Sequence, residues 1–595
     1  MYTDDKNAQV VLSLLKQYGI KKIVVSPGTT NVPISRSVQL DPWFEVYSIV
    51  DERSAAYFAT GLSYSSGEPV AISCTGATAS RNYLPGLTEA YYRNLPIIAL
   101  TSQHHTSDFG NLSPQVTDRT VSQNDIKKLS VHLPVVKDAE DYERCVLSVN
   151  KALIAATTNG NGPVHINLQV VGDYSFTTAE IPVARRIRYV DSDEIVLRAQ
   201  ELARELNGRK VAIFIGSHRK FSEREKDSLE RFSRALGAPV LVDQTSGYRG
   251  KQSILVSQIA DLRRSQNKPD IIIDMGSITG DYTVAWLQGI EAWRISEDGQ
   301  IHDRFSKQTL LFDGPEHLFF DALAGHVKSD DKNSFSEQLI NEISRLITPD
   351  DLPLSNTYVS QGLSRQIPKG SNLHLGILNS LRNMNFFMLD ESIDSTSNVG
   401  GFGIDGALST AVGQSMVDRT SLTYCLVGDL AAFYDMNALG IRHIGSNLRI
   451  IMVNNNGGVE FRLNPSLETQ WSNDTDEFIS AGGHFGSIKG WAESMNFHYM
   501  KASTKEEFDV LLPRFCSKDI DEFGGPVLFE VFTTIPDEQR GVAAVQDANK
   551  PEVEKVEGLD REGEIRTRRS HLKGIVKQVA PEKAKKLYRK LRSRG

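Results

Sequence analysis

The chain has 595 residues, 40% hydrophobic and 24% charged, with a formal net charge of −8. That length is too great for one hydrophobic core and implies about three to four domains. The balance excludes a disordered chain and gives no overall basic attraction for nucleic acid. Cys74, Cys145, Cys425 and Cys516 lie far apart and form no CxxC, so a disulfide framework and a cysteine metal cluster are not expected. No leader-like segment is evident, and no apolar run approaches the ~18–20 residues of a membrane span. The expected compartment is the cytoplasm.

Residues 8–18 carry apolar positions at helical spacing, and 22–25 form a branched apolar run followed by Ser26-Pro27-Gly28-Thr29. A strand over 44–50 ends in Asp51-Glu52-Arg53. A helix of small and apolar residues then runs from Ser54 to Ser65 and stops at Gly67. Strands over 70–73 and 97–101 lead into Thr75-Gly76-Ala77-Thr78-Ala79-Ser80 and Ser102-Gln103-His104-His105, and 164–168 closes the set. Strand alternating with helix implies an α/β domain with a parallel sheet. Glu52 sits where a strand hands over to a helix. It reads equally as a first-turn acid favoured by the helix dipole or as a functional carboxyl.

A second α/β domain follows, with strands over 210–215, 239–242, 271–274 and 309–312. It contains no GxGxxG, so nothing in it points to a nucleotide. Residues 326–360 are polar and contain proline, as a linker would.

Residues 360–545 form a third α/β domain. Ser397-Asn398-Val399-Gly400-Gly401-Phe402-Gly403-Ile404-Asp405-Gly406 is a glycine-rich loop ahead of a small-residue helix. A strand over 422–427 ends in Gly428-Asp429, and helical spacing covers 431–444. A second strand over 448–453 ends in Asn454-Asn455-Asn456-Gly457-Gly458. Strands joined by a helical crossover lie parallel, so their carboxyl ends share the edge where α/β ligands sit. Asp429 and Asn455 should therefore converge. An Asp carboxylate, an Asn amide oxygen and a carbonyl near Gly457 make a hard oxygen set suited to Mg²⁺ or Ca²⁺. Mg²⁺ typically shares its shell with phosphates. Plain strand ends with Asn-Gly turn chemistry would give the same letters. The pair at this spacing inside one β-α-β unit is the more specific signal.

Residues 546–595 differ from the rest: from Arg566 onward there are about a dozen Lys and Arg and one Glu. This basic extension reads as a solvated tail, or as a docking segment for an anionic surface or a protein partner.

The Gly-Asp and Asn-Asn pairs at this spacing resemble the signature of thiamine-diphosphate enzymes, with GDL here for the usual GDG. The domain order over residues 1–545 resembles the decarboxylase/acetolactate-synthase group. The segments SPG, DERSAA, NYLP, GIDG, LSTA and NNNGG look most like the menaquinone-pathway carboligases. The resemblance implies three consecutive doubly wound domains: pyrimidine-binding (1–182), middle (183–350) and diphosphate-binding (360–545). It also implies thiamine diphosphate and Mg²⁺ as cofactors, in sites between the subunits of a homodimer or homotetramer. The middle domain would support the dimer rather than bind FAD or ADP.

By the same resemblance, Asp429, Asn455 and the Gly457 carbonyl hold the metal. Gly428, Leu430, Ala431, Gly458 and Val459 lie along the diphosphate. Ile404 wedges beneath the bent cofactor, and the backbone at Phe402 accepts from its 4′-amine. Ser26, Pro27, Gly28, Thr75, Thr78 and Asn82 line the ring side. Glu52 hydrogen-bonds N1′ from an apolar pocket, where a carboxyl exchanges protons near neutrality. His104 and His105 resemble the paired proton-relaying histidines of pyruvate-decarboxylase-like enzymes. Gln115 and Glu460 fall on the substrate side.

The menaquinone-pathway carboligases carry three carboxylate-binding arginines where this chain has Thr30, His104 and Val399. Bidentate arginines are worth ~1.5–3 kcal/mol each. Their replacement points to decarboxylation of a different 2-oxo acid, followed by protonation or carboligation. The menaquinone reaction itself, an FAD-containing oxidase or synthase, and a non-catalytic cofactor-binding scaffold are the alternatives.

Overall fold

The computed structural model describes residues 1–104, 106–118, 123–172, 174–329, 334–463 and 483–550. His105 and residues 551–595 of the basic extension lie outside the described residues. Residues 1–548 form one compact unit, built on three successive sheets.

The first sheet holds β1 (Lys22–Val25), β2 (Glu45–Ser48), β3 (Val70–Thr75), β4 (Ile97–Gln103), β5 (Leu129–Leu133) and β6 (Val164–Gln169), in the order β2-β1-β3-β4-β6-β5. The second holds β7 (Arg188–Asp191), β8 (Val211–Ile215), β9 (Val240–Val242), β10 (Ser253–Leu255), β11 (Ile271–Met275), β12 (Glu291–Ser296) and β13 (Gln308–Asp313), in the order β10-β9-β8-β11-β12-β13-β7. The third holds β14 (Asn372–Leu375), β15 (Asp394–Ser397), β16 (Thr423–Gly428), β17 (Leu448–Asn454), β18 (His498–Ala502) and β19 (Val527–Phe532), in the order β15-β14-β16-β17-β19-β18. Every ladder between these strands is parallel.

The first and third sheets share one topology, second-first-third-fourth-sixth-fifth. In each, the chain reverses its direction of travel across the sheet between the first and third strands. Such a switch point opens a crevice at the carboxyl ends of the strands.

The inner strands of each sheet are covered on both faces, which is why strands such as β4, β8 and β17 read as apolar runs. Ile23 and Val25 enter one core and Val24 the other; Ile98 and Leu100 oppose Ile97 and Ala99 in the same way. In the third sheet Leu426, Ile451 and Val453 face one side, and Val427, Ile450 and Met452 the other.

Three expectations need correction. The helix over 431–444 is interrupted: Asp429–Tyr434 is helical, Asp435 leaves helical geometry (φ −118°, ψ 20°), and a short 3-10 turn covers Met436–Gly440. The Asp435 carboxylate accepts from the Ser409 amide at 2.6 Å and its hydroxyl at 2.7 Å, which ties the break to the preceding helix. The helix carrying Glu52 starts at Glu52 itself, because the Asp51 carboxylate caps it by accepting from the Ser54 amide at 2.9 Å. The 326–360 stretch is not a bare linker. It contains the helix Phe335–Ile343, started by a reciprocal Ser334–Glu337 capping box and anchored by the buried Leu339.

Loops of the second sheet lock onto the third domain. The Gln244 amide donates to the carbonyls of Met384 (3.0 Å) and Phe387 (2.8 Å), and Arg249 donates to the Ile393 carbonyl at 2.6 Å. At Gly280 a β-carbon would stand 2.4 Å from Leu381 Cδ2, so no larger residue fits that contact without a shift. Among the described residues no helix is long and apolar enough to cross a membrane.

Candidate cofactor-binding active site

β16 and β17 are parallel neighbours with Gly428 beside Val453. Their next residues therefore meet at one edge, although 26 positions separate Asp429 from Asn455. Asp429 is 2% exposed. Its Oδ2 accepts from the backbone N–H of Asn455 and of Gly457, each at 3.1 Å, and approaches His484 Nε2 at 3.1 Å. Its Oδ1 accepts from the Leu430 amide at 2.7 Å. Burial raises the Asp429 carboxyl above its ordinary range, and these donors act against that rise.

Asn455 is 7% exposed, and its Oδ1 is buried without a hydrogen-bond partner. A buried amide oxygen left unpaired beside a carboxylate is the donor set a hard cation would complete. Asn379 Oδ1, at the start of the helix Asn379–Met384 after β14, and Ser397 Oγ, at the end of β15, are also buried and unpartnered. Unmet polar atoms thus gather at the carboxyl edge of the third sheet, and so does backbone strain. Leu378 (φ 68°), Phe402 (φ 57°) and Asn456 (φ 64°) all follow strands of that sheet, and Ala77 (φ 55°) follows β3 of the first. Positive φ costs a bulky residue about 1–2 kcal/mol, and such strain concentrates at ligand sites.

Phe402 is half-buried and its ring stacks on Tyr282 of the middle domain, 5.8 Å between centroids at 26°. Ile404 packs between the two cores of the third sheet. Glu460 begins the short helix Glu460–Leu463 after Gly458 and Val459, and both its oxygens accept from Arg382 Nη1, Oε2 at 2.6 Å.

The first-domain residues share the equivalent edge of their own sheet. Ser26 is fully buried and its hydroxyl donates to the Ile49 carbonyl at 2.8 Å. Gly28 is tightly packed: a β-carbon there would lie 2.8 Å from Thr75 Cβ. The Thr75 hydroxyl pairs with that of Thr30, which also donates to the Ser102 carbonyl at 3.1 Å. Pro27, Thr78, Asn82 and Gln115 are exposed and His104 is half-buried. Glu52 accepts from Asn82 Nδ2 at 3.2 Å. The apolar enclosure expected around Glu52 is not supplied by the described residues, among which Glu52 is half-exposed. Near it in sequence are exposed apolar side chains, among them Val50 at 75%, Tyr57 at 47% and Phe58 at 38%. No hydrogen bond or ion pair among the described residues joins Glu52 to Asp429.

Sequence reasoning missed His484, Arg382 and Tyr282. His484 lies 55 positions beyond Asp429, outside any motif. Arg382 could have been suspected, since it closely follows an apolar strand and Gly376.

Sequence reasoning also missed Glu538, which is fully buried behind this edge. It accepts from the Thr533 hydroxyl at 2.6 Å and the Asn356 amide at 3.1 and 3.0 Å. Burial pushes its carboxyl up from 4.5 to about 7, and the Asp429 charge adds to the rise. Below pH 4.5 the folded and unfolded groups are both neutral. Between 4.5 and 7 only the unfolded one ionises, so stability falls by about 3 kcal/mol as pH rises through that window. Glu538→Gln should flatten the melting temperature between pH 5 and 8 while wild type declines. Parallel declines would remove Glu538 as the titrating group.

The fold and this edge chemistry define a class: a multi-sheet α/β enzyme of the thiamine-pyrophosphate type. Residues 5–130 match the family described as thiamine pyrophosphate enzyme, N-terminal TPP binding domain. The chain is 31% identical over 550 residues to the 2-succinyl-5-enolpyruvyl-6-hydroxy-3-cyclohexene-1-carboxylate synthase of Phocaeicola vulgatus, spanning 90% of this chain and 96% of that protein. It is 30% identical over 548 residues to the synthase of that name from Bacteroides fragilis, and 30% over 544 residues to that of Bacteroides thetaiotaomicron. Both matches span 90% of this chain and 97% of the relative. The chain belongs to the thiamine-pyrophosphate enzyme family, in the branch that contains these synthases. Its cofactor is thiamine diphosphate with a divalent cation.

Proposed function

We propose that the protein is a thiamine-diphosphate- and Mg²⁺-dependent enzyme that removes CO₂ from a 2-oxo acid and passes the remaining acyl carbon to a proton or to an acceptor. The observation that carries this reading is the unpaired Asn455 Oδ1 beside Asp429 at the switch-point edge of the third sheet. The bound cofactor would supply the electron sink for the charge left when CO₂ departs.

The chain supplies position and proton transfer. Asp429, Asn455 and the Gly457 carbonyl would hold Mg²⁺. The backbone of Gly428, Leu430, Ala431, Gly458 and Val459 would flank the diphosphate, the backbone at Phe402 would accept from the cofactor's 4′-amine, and Ile404 would pack against the cofactor. Glu52 comes from a second copy and holds a proton at N1′, with Ser26, Pro27, Gly28, Thr75, Thr78 and Asn82 on that side. His104, His105 and Gln115 face the substrate. Glu460, tied to Arg382, positions rather than reacts. The exposed apolar residues near Glu52 in sequence support a homodimer in which they are covered.

The relatives' shared name favours a second, narrower reading: synthesis of 2-succinyl-5-enolpyruvyl-6-hydroxy-3-cyclohexene-1-carboxylate itself. A panel of 2-oxo acids tests both, following CO₂ release with thiamine diphosphate and Mg²⁺. The panel is run alone, with aldehydes, and with isochorismate. CO₂ release dependent on both cofactors is expected. Release from 2-oxoglutarate only with isochorismate present would establish the narrower reading. Cofactor binding with no CO₂ from any acid would leave the scaffold alternative.

A further inference from the structure

Glu530 is a carboxylate with no solvent exposure. It lies on β19 beside Met452 of β17, on the face that carries the apolar Leu528 and Met452. A carboxylate persists in such a place only where donors replace its water. Three do so here. Its Oε1 accepts from Asn454 Nδ2 at 2.7 Å, and its Oε2 from the Ser487 hydroxyl at 2.6 Å and the Tyr499 hydroxyl at 2.7 Å. Enclosed on every side, Glu530 acts only through these partners.

Two of them lead to the cation site. Asn454 immediately precedes Asn455. Its Nδ2 also donates to the Gly486 carbonyl at 3.0 Å, and its Oδ1 accepts from the Asn456 amide at 3.2 Å. The carboxylate thereby decides which way this side-chain amide is turned. Reversed, the amide oxygen would face two acceptors, Glu530 and the Gly486 carbonyl. Held as it is, it secures Asn456 in its left-handed conformation (φ 64°), directly after Asn455.

Ser487 ties the same carboxylate to the segment that carries His484. The His484 amide donates to the Asn456 carbonyl at 3.0 Å, and the Gly486 amide donates to His484 Nδ1 at 3.1 Å. Because Nδ1 accepts, the ring hydrogen is assigned to Nε2, which donates to Asp429 Oδ2 at 3.1 Å. The ring stands edge-on to Phe433, 5.0 Å between centroids, so its direction is fixed as well.

We propose that Glu530 is a positioning residue for the cation site. Through Asn454 it sets the backbone that presents Asn455 Oδ1, and through Ser487 it sets the imidazole that orients Asp429. This role rests on the cofactor reading above. Partners that orient metal ligands from behind typically change metal affinity by about 10–100-fold when lost. Tyr499 serves as the control, since its hydroxyl meets the same carboxylate but leads to neither ligand.

The test is Mn²⁺ binding to the full chain with thiamine diphosphate, read from the free Mn²⁺ signal in electron paramagnetic resonance. Glu530→Met keeps the side-chain length in an apolar face and accepts from nothing, so it should weaken Mn²⁺ about 30-fold. Glu530→Gln can accept from Asn454 and donate to both hydroxyls, so it should stay within about threefold of wild type. Ser487→Ala should weaken Mn²⁺ roughly fivefold, by one hydrogen bond, and Tyr499→Phe should leave it unchanged. In turnover, the Glu530→Met defect should lie in the Mg²⁺ requirement, with kcat recovered at saturating Mg²⁺. Wild-type Mn²⁺ affinity in Glu530→Met overturns the proposal. Equal losses in Glu530→Met and Tyr499→Phe also overturn it, by reducing the carboxylate to a structural group. Should Glu530→Met not fold, Ser487→Ala decides, and unchanged affinity there overturns the proposal. Wild type that takes up no Mn²⁺ sinks the cation reading itself, a different result from uptake that Glu530 does not affect.

Discussion

Asp429→Ala should abolish cofactor retention, weakening the apparent affinity for thiamine diphosphate by about 10³-fold, equivalent to roughly 4 kcal/mol. The reason is the number of groups that depend on one carboxylate. Its Oδ2 receives two backbone N–H groups and faces His484, and its Oδ1 receives the Leu430 amide. Hydrogen bonds to a charged group are worth about 1.5–3 kcal/mol, and the proposed cation site loses a ligand in the same step. Alanine also leaves the Asn455 and Gly457 amides unpaired in a buried place, so the loop that presents Asn455 Oδ1 loses its anchor. Asp429→Asn separates the two effects. It keeps the shape and one acceptor but removes the charge, so the loop should hold while Mg²⁺ dependence moves to much higher concentration. Tryptophan fluorescence titrated with thiamine diphosphate at several Mg²⁺ concentrations reads both. Wild-type affinity in Asp429→Ala would place the cation elsewhere.

The sequence foretold what periodicity and strand-end chemistry encode, and little of what arises from packing between elements. Apolar runs such as 22–25, 271–275 and 448–454 are unambiguous because both faces of a parallel sheet are buried. The convergence of Asp429 and Asn455 follows from handedness and parallel pairing alone. Strands β5, β7, β10, β12, β14, β15, β18 and β19 were not foreseen. β10 has three residues, and the others mix polar or charged side chains such as His132, Arg188 and Arg294 into the pattern. The break at Asp435 depends on Ser409, 26 positions away, which no local propensity reports. The Arg382–Glu460–Tyr282–Phe402 cluster draws on four separate segments and three long-range contacts. It is visible only once the middle domain is docked on the third. Glu52 was legible as a strand-end acid, but its surroundings were not, because the described residues leave it half-exposed.

Glu52→Gln should keep thiamine diphosphate affinity within a few-fold of wild type and lower turnover about 10³-fold, within the range for loss of a positioned acid–base group. Glutamine preserves the contact with Asn82 and the start of the helix, so binding and folding are spared. What it cannot do is hold a proton in exchange with N1′. Deuterium exchange at C2 of the bound cofactor, measured by quenched NMR, should therefore slow with turnover. Unchanged exchange would remove Glu52 from this role. The half-exposed Glu52, the exposed apolar residues near it in sequence and the lack of any link to Asp429 among the described residues lead to a sharper expectation. If each site takes Glu52 from one copy and Asp429 from the other, a heterodimer of Glu52→Gln and Asp429→Ala chains contains one intact site. Random reassortment of the two inactive proteins should then recover about a quarter of wild-type activity in a symmetric dimer. If Glu52 served the Asp429 of its own chain, every site in the mixture would carry one of the two lesions and no activity would return.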